Sequence, residues 1–153
     1  MYLGLSFQPD LLGVMSQLNE FQGTLTKHLA IATEKAAGVI GDQQVAEMWM
    51  NFQNPTGNLA DSVGVQMSSE YLAYIGPEGV PYAWRRDRGF SGMTDRLGRY
   101  YPHDPGIFYA EYSISDPETL QAIAEIYTEA IYAAWQEAVG SLPQGQAAFM
   151  STA

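Results

Sequence analysis

Only one group of side chains in this sequence has the types and spacing of a reactive site. His103 and Asp104 are adjacent, as a general base and its orienting carboxylate would be, and Ser91 supplies a hydroxyl nearby. No Gly-x-Ser-x-Gly nucleophile elbow is present, His28 has no second ligand three or four residues away, and the chain contains no cysteine. We therefore expect no catalytic residue, no metal site and no cofactor. A small hydrolase that uses His103 and Asp104 is the least favoured alternative.

The charge of the chain is divided unequally. Seventeen acidic residues and seven Lys plus Arg give a net charge of -10, which argues against a protein that wraps nucleic acid. Five of the seven cations fall in one short segment: Arg85, Arg86, Arg88, Arg96 and Arg99. With Asp87 and Asp95 this segment carries +3, and the remaining two lysines and fifteen acids carry -13. Such a split favours head-to-tail contacts between copies of the chain.

A long helical region precedes this segment. Apolar residues from Leu11 to Met50 recur at helical spacing, interrupted at Gly23. Gly38 and Gly41 each cost about 1 kcal/mol relative to alanine in a helix. The pattern therefore predicts two helices separated near Gly23, with a kink or break near Ile40, and an end at Pro55.

Alternating patterns predict the strands. Residues 3–7 alternate and predict a short strand or extended arm, while residues 63–67 and 71–75 flank a Ser-Ser-Glu turn and predict a β-hairpin. Residues 108–115 also alternate, so we expect a third clear strand from Phe108 to Ser115. Asp116 then caps a last helix in which Pro117 occupies the first turn.

Residues 85–107 are rich in arginine and aromatic residues and show no sustained period from 89 to 106, so we expect a long loop there. Arginine, tyrosine and tryptophan are the composition of interface hot spots. The loop is therefore predicted to dock on another surface. The predicted interface residues are Trp84, Arg85, Arg86, Arg88, Phe90, Arg96, Arg99, Tyr100 and Tyr101. Residues 1–142 are expected to form one α+β domain and residues 143–153 a flexible tail.

Two short motifs flank the predicted hairpin. The first, within Thr-Gly-Asn-Leu-Ala-Asp-Ser, consists of Thr56, Gly57, Leu59 and Ser62. The second, within Tyr-Ala-Trp-Arg-Arg-Asp-Arg-Gly, consists of Tyr82, Ala83, Asp87 and Gly89. A short helix after Pro81 that ends with Gly89 in a left-handed conformation explains the second motif physically.

In their order and spacing these features resemble the neck or tail-completion proteins of long-tailed bacteriophages, over roughly residues 10 to 89. The resemblance implies an α+β fold, with an antiparallel β-sheet of three to four strands packed against a long N-terminal helical segment and a C-terminal helix. It also implies a structural virion protein, assembled in the host cytoplasm, in a ring that joins the tail to the DNA-filled head. The implied partners are copies of itself and adjacent neck, connector or tail-tube proteins. Neither a membrane nor sequence-specific nucleic acid is expected as a partner.

Two alternatives stay open at the level of sequence. After Gly89 the aromatic segment replaces the short Thr-rich stretch and Pro-Phe motif expected of the family, and a tail-terminator ring that caps the tail tube has a similar mix of elements. From a different class, the -13 charge of the remainder suggests an acidic DNA-mimic or inhibitor module. Its carboxylates are scattered along the chain, however, whereas a mimic needs dense acidic rows.

Overall fold

The structure, a computed structural model, describes residues 11–51 and 57–140. Its elements in chain order are α1 (Leu11–Asn51), β1 (Val63–Ser69), β2 (Leu72–Pro77), α2 (Ala83–Arg88), β3 (Phe90–Thr94), β4 (Tyr100–Asp104), α3 (Tyr109–Ser115) and α4 (Pro117–Gly140). The predicted α+β class, with a long N-terminal helix and a C-terminal helix, is confirmed. The predicted strand at residues 3–7, Thr56 and the predicted tail at 143–153 lie outside the described residues.

Helix α1 is continuous over 41 residues, so the predicted interruption at Gly23 is wrong. Its long contact with α4 compensates for the weak helix propensity of glycine. The two helices run antiparallel. Near one end the rings of Phe21 and Trp135 meet edge to face with centroids 5.8 Å apart. Further along, the hydroxyls of Thr33 and Tyr127 are hydrogen-bonded at 3.1 Å.

The hairpin β1–β2 lies across α1 and packs against it at Gly41. The pairing is antiparallel, as predicted, and sets Val65 opposite Ile75. A Cβ on Gly41 would lie 3.5 Å from Val65 Cγ2 and 3.7 Å from Ile75 Cγ2, which is ordinary van der Waals contact. The hairpin therefore rests almost directly on the helix backbone, and no break occurs in α1 at this glycine.

The predicted loop at 85–107 is wrong, because strands β3 and β4 form a second antiparallel hairpin within it. The four strands thus form two separate sheets of two strands each. The turn between β3 and β4 is closed by Asp95, whose Oδ1 accepts hydrogen bonds from the backbone N–H groups of Leu97 and Arg99 at 2.9 and 3.0 Å. Gly98 completes the turn with φ +76°.

The predicted strand from Phe108 to Ser115 is also wrong, because Tyr109–Ser115 form helix α3. Phe108 has left-handed dihedrals (φ 57°, ψ 34°) and turns the chain into the helix. Tyr109 and Ser113, four residues apart, are the buried positions, in keeping with helical rather than alternating periodicity. Asp116 then caps α4 as predicted, since its Oδ2 accepts the Thr119 N–H at 2.7 Å.

The core of this region joins α1 to the segments on either side of β1–β2. Its buried members are Met48, Leu59, Ala60, Ala83 and Tyr109. Because Leu59 belongs to the first sequence motif and Ala83 to the second, the two motifs meet in one apolar cluster. The segment that carries the arginines is therefore anchored directly on this core.

Candidate functional site

The base of the β3–β4 hairpin is closed by two glycines whose backbones touch. Gly89 precedes β3 and Gly106 follows β4, with φ values of +72° and +77°. A Cβ on Gly106 would lie 2.5 Å from Gly89 N and 2.6 Å from Arg88 C, and a Cβ on Gly89 would overlap the Asp104 carbonyl oxygen. Only glycine allows both the positive φ and this approach. Helix α2 ends at Gly89 as predicted and φ is positive, but ψ is -174°, so the predicted left-handed conformation is wrong.

Asp87 connects α2 to α3 from a buried position. Its Oδ1 accepts the Ala110 N–H at 3.1 Å, in the first turn of α3. Its backbone oxygen accepts the N–H groups of Ile107 and Phe108, at 3.2 and 2.8 Å. Asp87 is only 7% exposed, and Arg88 Nε lies 3.3 Å from Oδ2. Asp87 therefore holds the two ends of the hairpin segment together, which gives this motif position a structural role.

Tyr109 packs beneath α2 on the same core. Its hydroxyl donates a hydrogen bond to the backbone oxygen of Ala83 at 3.3 Å. Burial, with a smaller effect from the negative charge of Asp87, raises the pKa of Tyr109 to about 12. The phenol is therefore held neutral, and Tyr109 and Ala83 are buried in the same apolar cluster.

The first motif is also structural. Gly57 has φ +79°, and its backbone oxygen accepts the Asp61 N–H at 2.7 Å, which closes the turn after α1. Leu59 is buried in the core, and Ser62 Oγ donates to the Leu59 oxygen at 2.8 Å. Tyr82, in the second motif, differs from buried Leu59 because its side chain is 42% exposed.

Most of the predicted interface residues, which lie between the start of α2 and β4, are exposed. Trp84 is 71% exposed, Tyr100 65% and Tyr101 37%. Phe90 and Tyr101 shield each other across the hairpin, with ring centroids 6.4 Å apart. Tyr109, which was not among the predicted interface residues, is buried in the core.

Three of the five arginines form ion pairs within the segment or with α3. Arg86 Nη1 lies 3.2 Å from Asp104 Oδ2, and Arg88 is shared between Asp87 and Glu111. Arg99 Nε donates to Asp95 Oδ2 at 2.7 Å. Backbone and side-chain hydrogen bonds from Arg99 lower the pKa of Asp95 below its usual value.

Arg85 and Arg96 have no ion pair with any residue in the ranges 11–51 and 57–140. Both line a cleft of about 480 Å³ between α2 and the hairpin turn. The remaining lining residues are Met93, Thr94, Asp95, Leu97 and Arg99. We call these seven residues the arginine cleft. With three guanidinium groups, one carboxylate and the apolar side chains of Met93 and Leu97, it suits an acidic partner surface.

His103 and Asp104 are not arranged as a catalytic base and its orienting carboxylate. His103 is exposed and lies opposite Ser91 in the β3–β4 register. The Asp104 carboxylate is occupied elsewhere, because Oδ1 accepts the Gly106 N–H at 3.0 Å and Oδ2 pairs with Arg86. Within the described part of the chain, no group of three His, Cys, Asp or Glu side chains is placed to hold a metal ion.

Two features of the site were missed at the level of sequence. Gly106 was not singled out, because its role depends on contact with Gly89. The β3–β4 hairpin was also missed. Residues 95–99 form a five-residue connection that contains Gly98, and a short connection with glycine is a hairpin signal.

The chain matches no family model, no curated protein and no solved structure. Among the described helices, none has the length and apolar character needed to cross a membrane.

Proposed function

We propose that this chain is a structural protein of a tailed bacteriophage and forms part of the neck or tail-completion ring that joins the tail to the DNA-filled head. The supporting observation is the β3–β4 hairpin. Among the described elements, its extensive contacts are only those between its own two strands. A two-stranded sheet on its own is marginally stable in water. This hairpin is anchored at its base by the contact between Gly89 and Gly106. A partner surface that packs against the rest of the hairpin would stabilise it.

The exposed side chains of the segment also support a docking role. Trp84, Leu97 and Tyr100 are each at least 65% exposed, and they are interleaved with arginines. Aromatic residues and arginine dominate binding energy at protein interfaces because they give a large contact area with directional polar groups. The motif residues beneath them are used to hold the segment in place. The exposed aromatic and arginine side chains are thus held in position to bind a partner.

Quantitative mass spectrometry of virus particles purified from the source of the sequence tests the proposal. A small multiple of six copies per portal is expected for a ring at this position. Absence of the chain from purified particles would contradict the proposal and would favour the acidic binding module.

A charge-reversal experiment then connects the particle to the arginine cleft. We expect the double variant Arg85→Glu, Arg96→Glu to be excluded from particles while its circular dichroism stays that of the folded protein, because neither arginine has an ion pair with a described residue. The matched control is Lys27→Glu, Lys35→Glu, which changes the charge equally at two exposed positions on α1. Incorporation of the arginine variant at the control level would argue against docking through this cleft.

A further inference from the structure

Helix α4 presents an acidic row to solvent. Glu118, Glu125 and Glu129 are exposed, and their spacing of seven and four residues places them on one side of the helix. Exposed Tyr132 lies on the same side. The opposite side contains buried Ala134 and faces α1.

The acidic row has no cationic partner within the described part of its own chain. The sequence of α4 contains no lysine or arginine. Gln121 Nε2 donates to Glu125 Oε1 at 2.8 Å, which orients that carboxylate without neutralising it. Glu118, Glu125 and Glu129 form no ion pair with any residue in the ranges 11–51 and 57–140. One molecule therefore presents two complementary surfaces, this row and the arginine cleft, that do not satisfy each other.

We infer that the arginine cleft of one copy binds the acidic row of α4 on a second copy. This inference rests on the proposed function, since it names the contact between neighbours in the ring. Because the two surfaces differ, the contact is heterologous, and each copy can use its cleft on one side and its row on the other. Repetition of such a contact closes a ring when the rotation between copies allows closure.

The charges of the two surfaces are complementary. Carboxylates four and seven residues apart are separated by about 6 and 10 Å along a helix axis. Arg85 and Arg96 have no competing ion pair with described residues, and Arg99 lines the same cleft while bonded to Asp95. Two exposed aromatic residues could add contacts to the interface: Trp84, next to Arg85 in the sequence, and Tyr132, on the same side of α4 as the acidic row.

Disulfide trapping tests this contact directly, because the natural chain contains no cysteine. Leu97→Cys is placed in the cleft of one protein, and Thr128→Cys, next to Glu129, is placed on α4 of another. Mixing the two under oxidising conditions is expected to give a cross-linked heterodimer at least tenfold more abundant than the product of Leu97→Cys with Glu70→Cys, a control at the exposed β1–β2 turn. Equal yields would overturn the inference.

A charge exchange identifies the forces that form the cross-linked pair. Adding Arg85→Glu and Arg96→Glu to the Leu97→Cys protein should reduce the cross-linked yield about tenfold, and adding Glu125→Arg and Glu129→Arg to its partner should restore it. Raising salt from about 0.1 M to about 1 M, which shortens the Debye length from about 10 Å to about 3 Å, should reduce the yield of the unreversed pair. The inference would be overturned if the cross-linked yield of the Arg85→Glu, Arg96→Glu protein were the same with the Glu125→Arg, Glu129→Arg partner as with the unreversed partner.

The outcomes also separate this contact from the proposed function. If the chain is present in particles and needs Arg85 and Arg96 there, but the α4 reversal changes neither cross-linking nor incorporation, the neck role stands and self-docking through α4 falls. If cross-linking and its rescue succeed with a chain absent from particles, the self-docking contact stands and the neck role falls.

Discussion

Replacement of Gly106 by alanine tests the closed base of the hairpin. The new methyl group would lie 2.5 Å from Gly89 N, 2.6 Å from Arg88 C and 2.6 Å from Asp87 O. These are backbone atoms, so no side chain can rotate away to relieve the overlap. The junction between α2 and α3 would have to shift.

The size of the effect follows from two separate costs. Alanine at φ +77° costs about 1–2 kcal/mol, because a Cβ is unfavourable in a left-handed conformation. Overpacking of a tightly fitted site costs a further 1–3 kcal/mol or so. The variant Gly106→Ala should therefore lose about 2–5 kcal/mol of the free energy of unfolding.

Gly79→Ala is the matched control, because Gly79 has φ +67° but no described residue beyond its two chain neighbours comes within 4 Å of the position that its new Cβ would occupy. It should show the conformational cost alone, about 1–2 kcal/mol. Urea denaturation followed by circular dichroism measures both variants against the natural chain. Equal losses for Gly106→Ala and Gly79→Ala would refute the backbone contact between Gly106 and Gly89.

Substitutions at three further positions test the buried polar groups. Gln44→Met should raise the free energy of unfolding by about 1 kcal/mol, because the buried Gln44 Oε1 has no hydrogen-bond partner among the described residues; a loss in urea denaturation would contradict this. The pKa of Tyr109 is raised to about 12, so the natural chain should lose stability as pH rises from 10 to 12, and Tyr109→Phe should lose less over that interval. Asp87→Ala should cost about 2 kcal/mol through loss of the bond to the Ala110 N–H, and Asp87→Asn about half, since an amide oxygen still accepts; equal costs in urea denaturation would argue against that bond.

The β3–β4 hairpin shows where local patterns were insufficient. Pro102 lies inside β4, although proline normally argues against a strand. It is tolerated because each strand of a two-stranded sheet has a free edge, and the ladder pairs Ser91 with His103 and Met93 with Tyr101 on either side of it. Gly92, with φ +66°, also interrupts the alternation. Because of Pro102 and Gly92, the segment lacks the regular alternation of polar and apolar residues on which a strand prediction depends.

The segment after the hairpin shows the opposite error. Residues 108–115 alternate apolar and polar residues and predict a strand, yet Tyr109–Ser115 form α3. A run this short fits either period, so contacts from elsewhere decide between them. Here the deciding contacts are the Asp87 carboxylate on the Ala110 N–H and the burial of Tyr109 beneath α2.

The sequence by itself determined the elements whose signals are local. These are the long helical region, the β1–β2 hairpin, the cap at Asp116, the positive φ at Gly89, and the division between an arginine-bearing segment and an acidic remainder. Caps, turns and amphipathic faces depend on residues a few positions apart, so the sequence shows them directly.

Only the tertiary structure decided the contacts that close across the chain. Gly89 touches Gly106, Asp87 starts α3, and the arginine cleft forms where α2 meets the β3–β4 turn. Each of these depends on backbone paths that come together in space after the intervening residues have folded. No periodicity encodes them, because the energy of a close packing contact or a buried hydrogen bond depends on geometry that residue types alone do not specify.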